Sequence, residues 1–378
     1  MPKAAYIHIP FCEHICHYCD FNKVFLKGQP VDDYLCTLEQ EMKLVLEKYP
    51  SGRLQSIFVG GGTPTALTAA QLKKLVKIIR NLLTFDQETE FTIEANPGDL
   101  SKEKLQILYD AGVNRLSLGV QTFQEQLLER IGRTHRADDV FHSLSLAKNI
   151  GFKNISIDLM YSLPGQTLAD FKETLDIAFS LGTTHFSAYS LIVEPKTVFY
   201  NLMRKGKLIT PSEDEEAEMY GLLLEQMEKH SYKQYEISNF ARTGYESVHN
   251  LTYWNNDYYY GFGAGAHSYI NGVRRANYGP LKKYMEPIKN GTLPIKEEHR
   301  VSRKEAMEEE MFLGLRKVTG VSFAAFKSRF KEELPAVFQN QVTELVKKQL
   351  LTVSNGSVQL TKKGRFLGNE VFQEFLLP

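Results

Sequence analysis

Over the first two-thirds of the chain, short runs rich in β-branched and aromatic residues alternate with stretches whose apolar positions return every three or four residues. The runs at 5–9, 56–59, 91–94, 115–119, 155–159 and 185–189 predict strands. The stretches at 33–48, 69–83, 102–111, 137–149 and 168–180 predict amphipathic helices between them. Strand, crossover helix and parallel strand is the unit this order implies. Six such units predict an α/β fold, an open or partial (β/α)6 barrel. Ser212 reads as the N-cap of a further helix, whose acidic first turn suits the helix dipole.

The pattern changes near residue 300. Helices are predicted at 303–318, 323–330 and 335–348. A hairpin follows, 350–353 and 358–360 around Asn355-Gly356, and a last helix covers 364–375. The expected division is a barrel core over 1–235, an aromatic-rich connecting region over 236–300 and a winged-helix-like α+β domain over 301–378. Winged helices often bind DNA, but this one has mixed charge and no dense basic stripe, so it reads as a packing or lid element.

Composition narrows the function classes. Lys plus Arg number 45 and Asp plus Glu number 45, so no global field favours nucleic acid or an anionic membrane. No basic, apolar leader and no run of membrane-spanning length is present, so neither a signal peptide nor membrane insertion is expected. Three of the four cysteines are clustered, a distribution that fits reduced thiols in cytoplasm rather than a disulfide framework.

Those three lie in Cys12-Glu-His-Ile-Cys16-His-Tyr-Cys19, directly after the first predicted strand. Three thiols on one loop can each hold one iron of a [4Fe–4S] cluster, leaving the fourth iron open to a small ligand. The competing chemistry is a Cys3His zinc site completed by His14 or His17. Cys36 falls within an amphipathic stretch and reads as a small buried hydrophobe. The other strand ends also carry chemistry. Gly60-Gly-Gly-Thr-Pro-Thr65 follows the second strand, Glu94 ends the third, Gln121 follows the fourth and Asp158 ends the fifth. In barrels of this type the working groups gather at the C-terminal ends of the strands. Glycines admit close backbone approach, Glu94 and Asp158 accept from ammonium or ribose hydroxyl groups, and Arg133 can fork onto a carboxylate. S-adenosylmethionine, an amino acid joined to a nucleoside, would use all of them.

The Cys-x3-Cys-x2-Cys spacing and the aromatic Tyr18 resemble the radical S-adenosylmethionine superfamily. The fuller set, Tyr6-Ile-His-Ile-Pro-Phe-Cys12, the 60–65 run, Glu94-Ala-Asn-Pro97, Gly119-Val-Gln121 and Asp158-Leu-Met-Tyr-Ser-Leu-Pro-Gly165, resembles the oxygen-independent coproporphyrinogen III oxidase family. The resemblance implies a TIM-like radical SAM barrel. By position it implies S-adenosylmethionine contacts at Tyr6, Tyr18, Gly61, Gly62, Thr63, Glu94, Gln121, Arg133 and Asp158, and cluster ligands at Cys12, Cys16 and Cys19. Two features depart from the oxidase: Phe21 stands where it has a further cysteine, and only eleven residues precede Cys12 where it has a longer extension. His249-Asn-Leu-Thr-Tyr-Trp254 instead is similar to the His-Asn-x-x-Tyr-Trp motif of the haem chaperone HemW branch. That branch implies a haem-binding protein that passes haem to apo-haemoproteins, among them respiratory proteins at the membrane surface. His249 is then the haem contact, with His267 as a second imidazole nearby. Trp254, Tyr253, Tyr258, Tyr259, Tyr260 and Tyr269 offer flat rings in the same region, although such aromatics also pack ordinary cores. A homodimer sharing the cluster is compatible with this reading. The alternative is an enzyme, the oxidase itself, decarboxylating coproporphyrinogen III to protoporphyrinogen IX.

Overall fold

The computed structural model describes residues 1–377. The six predicted strands form as β1 (Ala4–Ile9), β2 (Ser56–Gly61), β3 (Glu90–Ala95), β4 (Arg115–Gln121), β5 (Asn154–Tyr161) and β6 (His185–Ser190). Each pairs in parallel with the next in chain order. The crossovers carry α1 (Val31–Lys48), α2 (Ala69–Leu82), α3 (Lys102–Asp110), α4 (Ala137–Ile150) and α5 (Leu168–Ser180). Polar side chains start several of them. Thr68 and Gln71 form a capping box on α2, and Thr167 and Asp170 form one on α5. Ser212 caps α6 (Glu213–Lys229) as expected, exchanging bonds with Glu215.

Alternation along the strands sorts the side chains onto two faces. Ile7, Ile9, Ile57, Val59, Phe91, Ile93, Leu116, Leu118, Ile157 and Leu159 are sealed from solvent in the main hydrophobic core with the helices. The opposite face is polar. It carries Tyr6, His8, Ser56, Thr92, Glu94, Arg115, Ser117, Ser156, Asp158 and His185, most of them also buried.

The sheet continues past both ends of this parallel array. β7 (Lys233–Glu236) and β8 (Asn239–Ala241) add antiparallel strands beside β6. On the other side β9 (Tyr259–Phe262) joins β1 in parallel, followed by β10 (His267–Ile270), β11 (Val273–Asn277) and β12 (Ile295–Arg300). Among the described residues the sheet has twelve strands with β12 and β7 at its two ends. The stretch over 259–300, part of the aromatic-rich connecting region expected over 236–300, therefore supplies four of the six strands added to the parallel array among the described residues. Its outermost strand reads Ile-Lys-Glu-Glu-His-Arg and is mostly exposed, so it carries no alternating apolar signal.

Residues 307–375 build a second core around Met311, Phe326, Phe338, Val358 and Phe375. The expected hairpin forms between Leu351–Ser354 and Ser357–Leu360, with Asn355 and Gly356 both at positive φ. Two expectations are corrected. The last helix is two short ones, Lys362–Phe366 and Gly368–Gln373, because Leu367 between them leaves helical geometry. Cys36 is exposed, 3.1 Å from the Lys74 ammonium. It lies off the stripe of α1 that buries Tyr34, Leu35, Leu38 and Met42. No helix among the described residues is long and apolar enough to cross a membrane.

A buried carboxyl ties α1 to the sheet extension. Glu41 is 1 % exposed. It accepts from Tyr284 Oη (2.6 Å), Asn277 Nδ2 (2.5 Å) and the Gly263 N–H (2.8 Å). Burial outweighs these donors and pushes the carboxyl up to about 7. A raised carboxyl pKa stabilises the fold below the ordinary carboxylate range and loses that contribution as pH rises through about 7. Between pH 4.5 and 8, wild type should therefore lose roughly 3 kcal/mol of stability relative to Glu41→Gln. Urea unfolding of both proteins across that range measures the difference.

Candidate cofactor site

The carboxyl ends of β1 to β5 converge, and the predicted cofactor residues come with them. The loop after β1 carries the three thiols. Cys12 is buried, while Cys16 and Cys19 are partly exposed. Phe11 and Cys12 pair with Val24 and Phe25, which closes the loop on itself. The Cys19 N–H bonds the Cys16 carbonyl at 3.3 Å, and the Lys23 ammonium reaches the Cys19 carbonyl. The loop is held from outside by His17. Its N–H reaches the Ile131 carbonyl (2.9 Å), its Nδ1 bonds the Arg130 carbonyl (2.9 Å), and its own carbonyl takes the Phe199 N–H (3.0 Å). Gly132, at φ +77, makes room for this, since a Cβ there would lie 2.9 Å from the His17 ring.

One hydrogen-bonded arc joins most of the predicted residues. Thr63 Oγ1 donates to Cys12 Sγ at 3.7 Å, and Asn96 Nδ2 donates to Thr63 Oγ1 at 3.1 Å. Arg133 donates to Asn96 Oδ1 at 2.6 Å and to Tyr18 Oη at 3.1 Å. Arg133 Nε points into buried space with no partner. Glu94 accepts the Gly61 N–H at 2.9 Å, and Asp158 accepts from Ser117 at 3.1 Å. Gln121 is buried at φ +67, beyond a bulge in the β4–β5 register at Gly119. Tyr6 donates to, or accepts from, His8 Nδ1 at 2.9 Å, and His8 Nε2 bonds the Asn22 carbonyl at 2.7 Å.

The electrostatics follow from burial. Burial pushes the Cys12 thiol up to about 11; Thr63 and Arg133 pull the other way, and the other two thiols reinforce the rise. Burial likewise pushes Glu94 up to about 7, with Asp158 adding to the shift and the Gly61 N–H and Arg133 opposing it. Burial opposes charge on Arg133, yet Tyr18, Cys16 and Cys19 leave its pKa raised, so the guanidinium stays charged beside the thiols.

The donor set fits a cluster with an amino-acid ligand. Three sulfurs on one loop suit three corners of a cubane. The orphaned Arg133 Nε suits a carboxylate. A Cβ at Gly62 would strike the Phe11 carbonyl at 2.8 Å, and one at Gly119 would meet Arg133 at 2.9 Å, so glycine lets the cysteine loop and Arg133 pack directly on these strand ends. Among the described residues no three His, Cys, Asp or Glu side chains are arranged to hold a single metal ion. Asn96, His8 and Asn22 were not singled out from the sequence. Asn96 lay inside the Glu94-Ala-Asn-Pro97 run and His8 inside Tyr6-Ile-His-Ile, but nothing in the order of residues pairs them with Arg133 or Asn22.

His249 lies elsewhere. It sits on α7 (Val248–Trp254), beneath the amino ends of β2 and β3. The Glu90 carboxylate takes the Ser247 hydroxyl (3.2 Å) and the Val248 and His249 N–H groups (both 3.0 Å), an anion at a helix N-terminus. His249 Nδ1 bonds Ser56 Oγ and Nε2 bonds Tyr253 Oη, both at 2.9 Å. Burial first, then the Arg115 charge, pulls its pKa down to about 3, so the ring is neutral. Between the two regions stand Tyr6 and Phe58, whose rings lie 6.5 and 5.1 Å from His249. The neighbouring aromatics pair among themselves, Tyr253 with Tyr259 and Tyr258 with Tyr269, while Arg316 covers Trp254. His267 is exposed on β10.

The radical SAM superfamily model matches residues 6–178 and the HemN C-terminal domain model matches 301–367. The chain is 55 % identical over 375 residues to the Heme chaperone HemW of Bacillus subtilis (strain 168), covering 99 % of each chain. It is 46 % identical over 376 residues to the Heme chaperone HemW of Lactococcus lactis, covering all of this chain and 98 % of the relative. Among solved structures, the coproporphyrinogen III oxidase HemN from Escherichia coli, a radical SAM enzyme, superposes with a TM-score of 0.88 at 26 % identity, over 99 % of this chain and 90 % of that one.

Substituting Gly61→Ala should cost about 1–3 kcal/mol, because the residue sits at φ +114 and a Cβ would lie 2.3 Å from the His8 ring. Iron retained after anaerobic reconstitution should fall with it. Gly52→Ala, whose Cβ meets only Met1 Sδ at 3.8 Å, should stay within about 0.5 kcal/mol of wild type. Urea unfolding and iron assay of the two variants make the comparison.

Proposed function

The chain belongs to the HemW branch of the radical SAM superfamily, and from that premise we propose that it binds a [4Fe–4S] cluster, S-adenosylmethionine and haem, and passes the haem to apo-haemoproteins. The observation that carries the reading is the 55 % identity to a HemW over the full length of both chains. In it, Cys12, Cys16 and Cys19 hold the cluster, which supplies a redox-active centre with one iron free to take the methionyl end of S-adenosylmethionine. Arg133 offers its unpartnered Nε to the ligand's carboxylate. Glu94 and Asp158 accept from its ammonium and ribose hydroxyls, Gly61 and Gly62 meet it with bare backbone, and Tyr6, Tyr18, Thr63 and Gln121 border it.

His249 is the haem contact in this proposal. Both of its ring nitrogens are bonded and the ring is 2 % exposed. Ligation therefore requires the Tyr253 hydroxyl to leave Nε2, which is a local step within one turn of α7. The neutral ring is ready for iron once free, because ligation needs an unprotonated nitrogen.

The oxidase reading has one observation in its favour, the close superposition on the Escherichia coli enzyme. The two readings part on turnover. Anaerobically reconstituted protein should bind haem saturably, His249→Ala should lose that binding, and coproporphyrinogen III should remain unconverted. Formation of protoporphyrinogen IX would replace the chaperone reading with the enzyme. Tyr253→Phe should bind haem about fivefold faster than wild type, since one hydrogen bond of about 1 kcal/mol no longer holds Nε2. Stopped-flow absorbance in the Soret region measures the rate.

A further inference from the structure

The polar face of the sheet buries a cation at its amino end. Arg115, the first residue of β4, is 2 % exposed and is among the largest fully buried side chains of the protein. It makes no ion pair among the described residues, and its Nε has no hydrogen-bond partner. Beside it in register on β3 stands Thr92, fully buried, whose hydroxyl is also without a partner. Two orphaned polar groups on the same face of adjacent strands form a half-made site. A buried guanidinium left unpaired is costly, and its planar donors match a carboxylate.

The surroundings supply further donors and no competing anion at contact distance. Tyr235 Oη bonds His185 Nε2 at 2.9 Å and takes the Asn250 amide at 3.4 Å. Asp158 is turned towards Ser117 and Ser156. The Arg115 charge acts on Asp158, His185, Tyr235 and His249 alike, which locates it centrally among them. His249 is thus within electrostatic reach of the Arg115 cation.

We propose that Arg115 and Thr92 form an internal carboxylate site at the amino end of the polar face, and that it receives a propionate of the haem whose iron meets His249. The inference rests on the haem reading above and adds a second anchor to it. A planar macrocycle held by iron at His249 and by a carboxylate at Arg115 is fixed in orientation as well as position, which a single axial bond does not achieve.

Haem and haem dimethyl ester, in which both carboxylates are masked, separate the two ideas. Cluster-loaded wild type should prefer haem to the ester by roughly ten- to a hundredfold in Kd, the range for a hydrogen bond to a charged group. Arg115→Met should bind both with the affinity of the ester, Arg115→Lys should keep part of the preference, and Thr92→Val should weaken it a few fold. Circular dichroism and iron content check that each variant folds; should Arg115→Met fail that check, Thr92→Val and Arg115→Lys carry the test. Equal affinity of wild type for the two ligands, or a preference undiminished in the variants, overturns the carboxylate site and leaves internal water as the partner of both orphans. Loss of all haem binding in His249→Ala alongside such a result keeps the haem reading intact. Wild type that binds neither ligand refutes the haem reading itself.

Discussion

Everything in this molecule follows from burying both faces of a parallel sheet while one face stays polar. The helices cover the Ile, Val, Leu and Phe side of β1 to β6, so that side is ordinary core. The other side cannot turn to water, and a buried polar group without a partner costs about 1–3 kcal/mol. Its residues therefore bond one another, in an arc from Cys12 through Thr63, Asn96 and Arg133 to Tyr18 at one end, and a chain from Ser117 through Asp158, Ser156 and His185 to Tyr235 along the sheet. Where protein partners run out, at Arg133 Nε, Arg115 Nε and Thr92, a ligand has a place prepared by energetics rather than by shape alone.

The cysteine loop depends on distant chain for its form. Asn22, three residues past Cys19, donates to the carbonyls of Ala264 (2.8 Å) and Gly279 (3.1 Å), and its own carbonyl accepts from His8 Nε2 (2.7 Å). Tyr34 donates to the His8 carbonyl and takes the Ala264 N–H, and Glu41 completes the brace. Gly263 and Gly265 lie at positive φ and meet His8, Tyr34 and Asn22 so closely that a side chain there would displace them. The sheet extension is thus a support for the loop.

The second core bears on the helix of His249. Lys317 donates to Asn255 Oδ1 (2.6 Å), and Arg329 donates to the carbonyls of Asn255 (3.0 Å) and Asn256 (2.5 Å). Cations at the C-terminus of α7 complement Glu90 at its N-terminus, so both ends of the helix dipole are matched. The winged-helix-like region packs against the motif through these bonds.

Much of the site was legible because its signals are local. Three thiols in eight residues carry their chemistry in their spacing, and strand ends collect in a wound parallel sheet whatever the details. Strands β1 to β6 could be read because each crosses a core and alternates or runs apolar. The strands over 259–300 could not, because they are only four to six residues long and the outermost, β12, is an exposed edge that answers to solvent rather than to a period. Cys36 was misread for a related reason, since a rotation along α1 separates a buried position from an exposed one. What the order of residues determined is the set of chemical groups and the strand from which each projects. Only the tertiary structure decided that His249 is closed by Ser56 and Tyr253, that Asn96 bridges Thr63 to Arg133, and that Arg115 and Thr92 stand side by side without partners. Those outcomes depend on pairings between residues far apart in the chain, and hydrogen bonds act over ångströms of space, not over positions in a sequence.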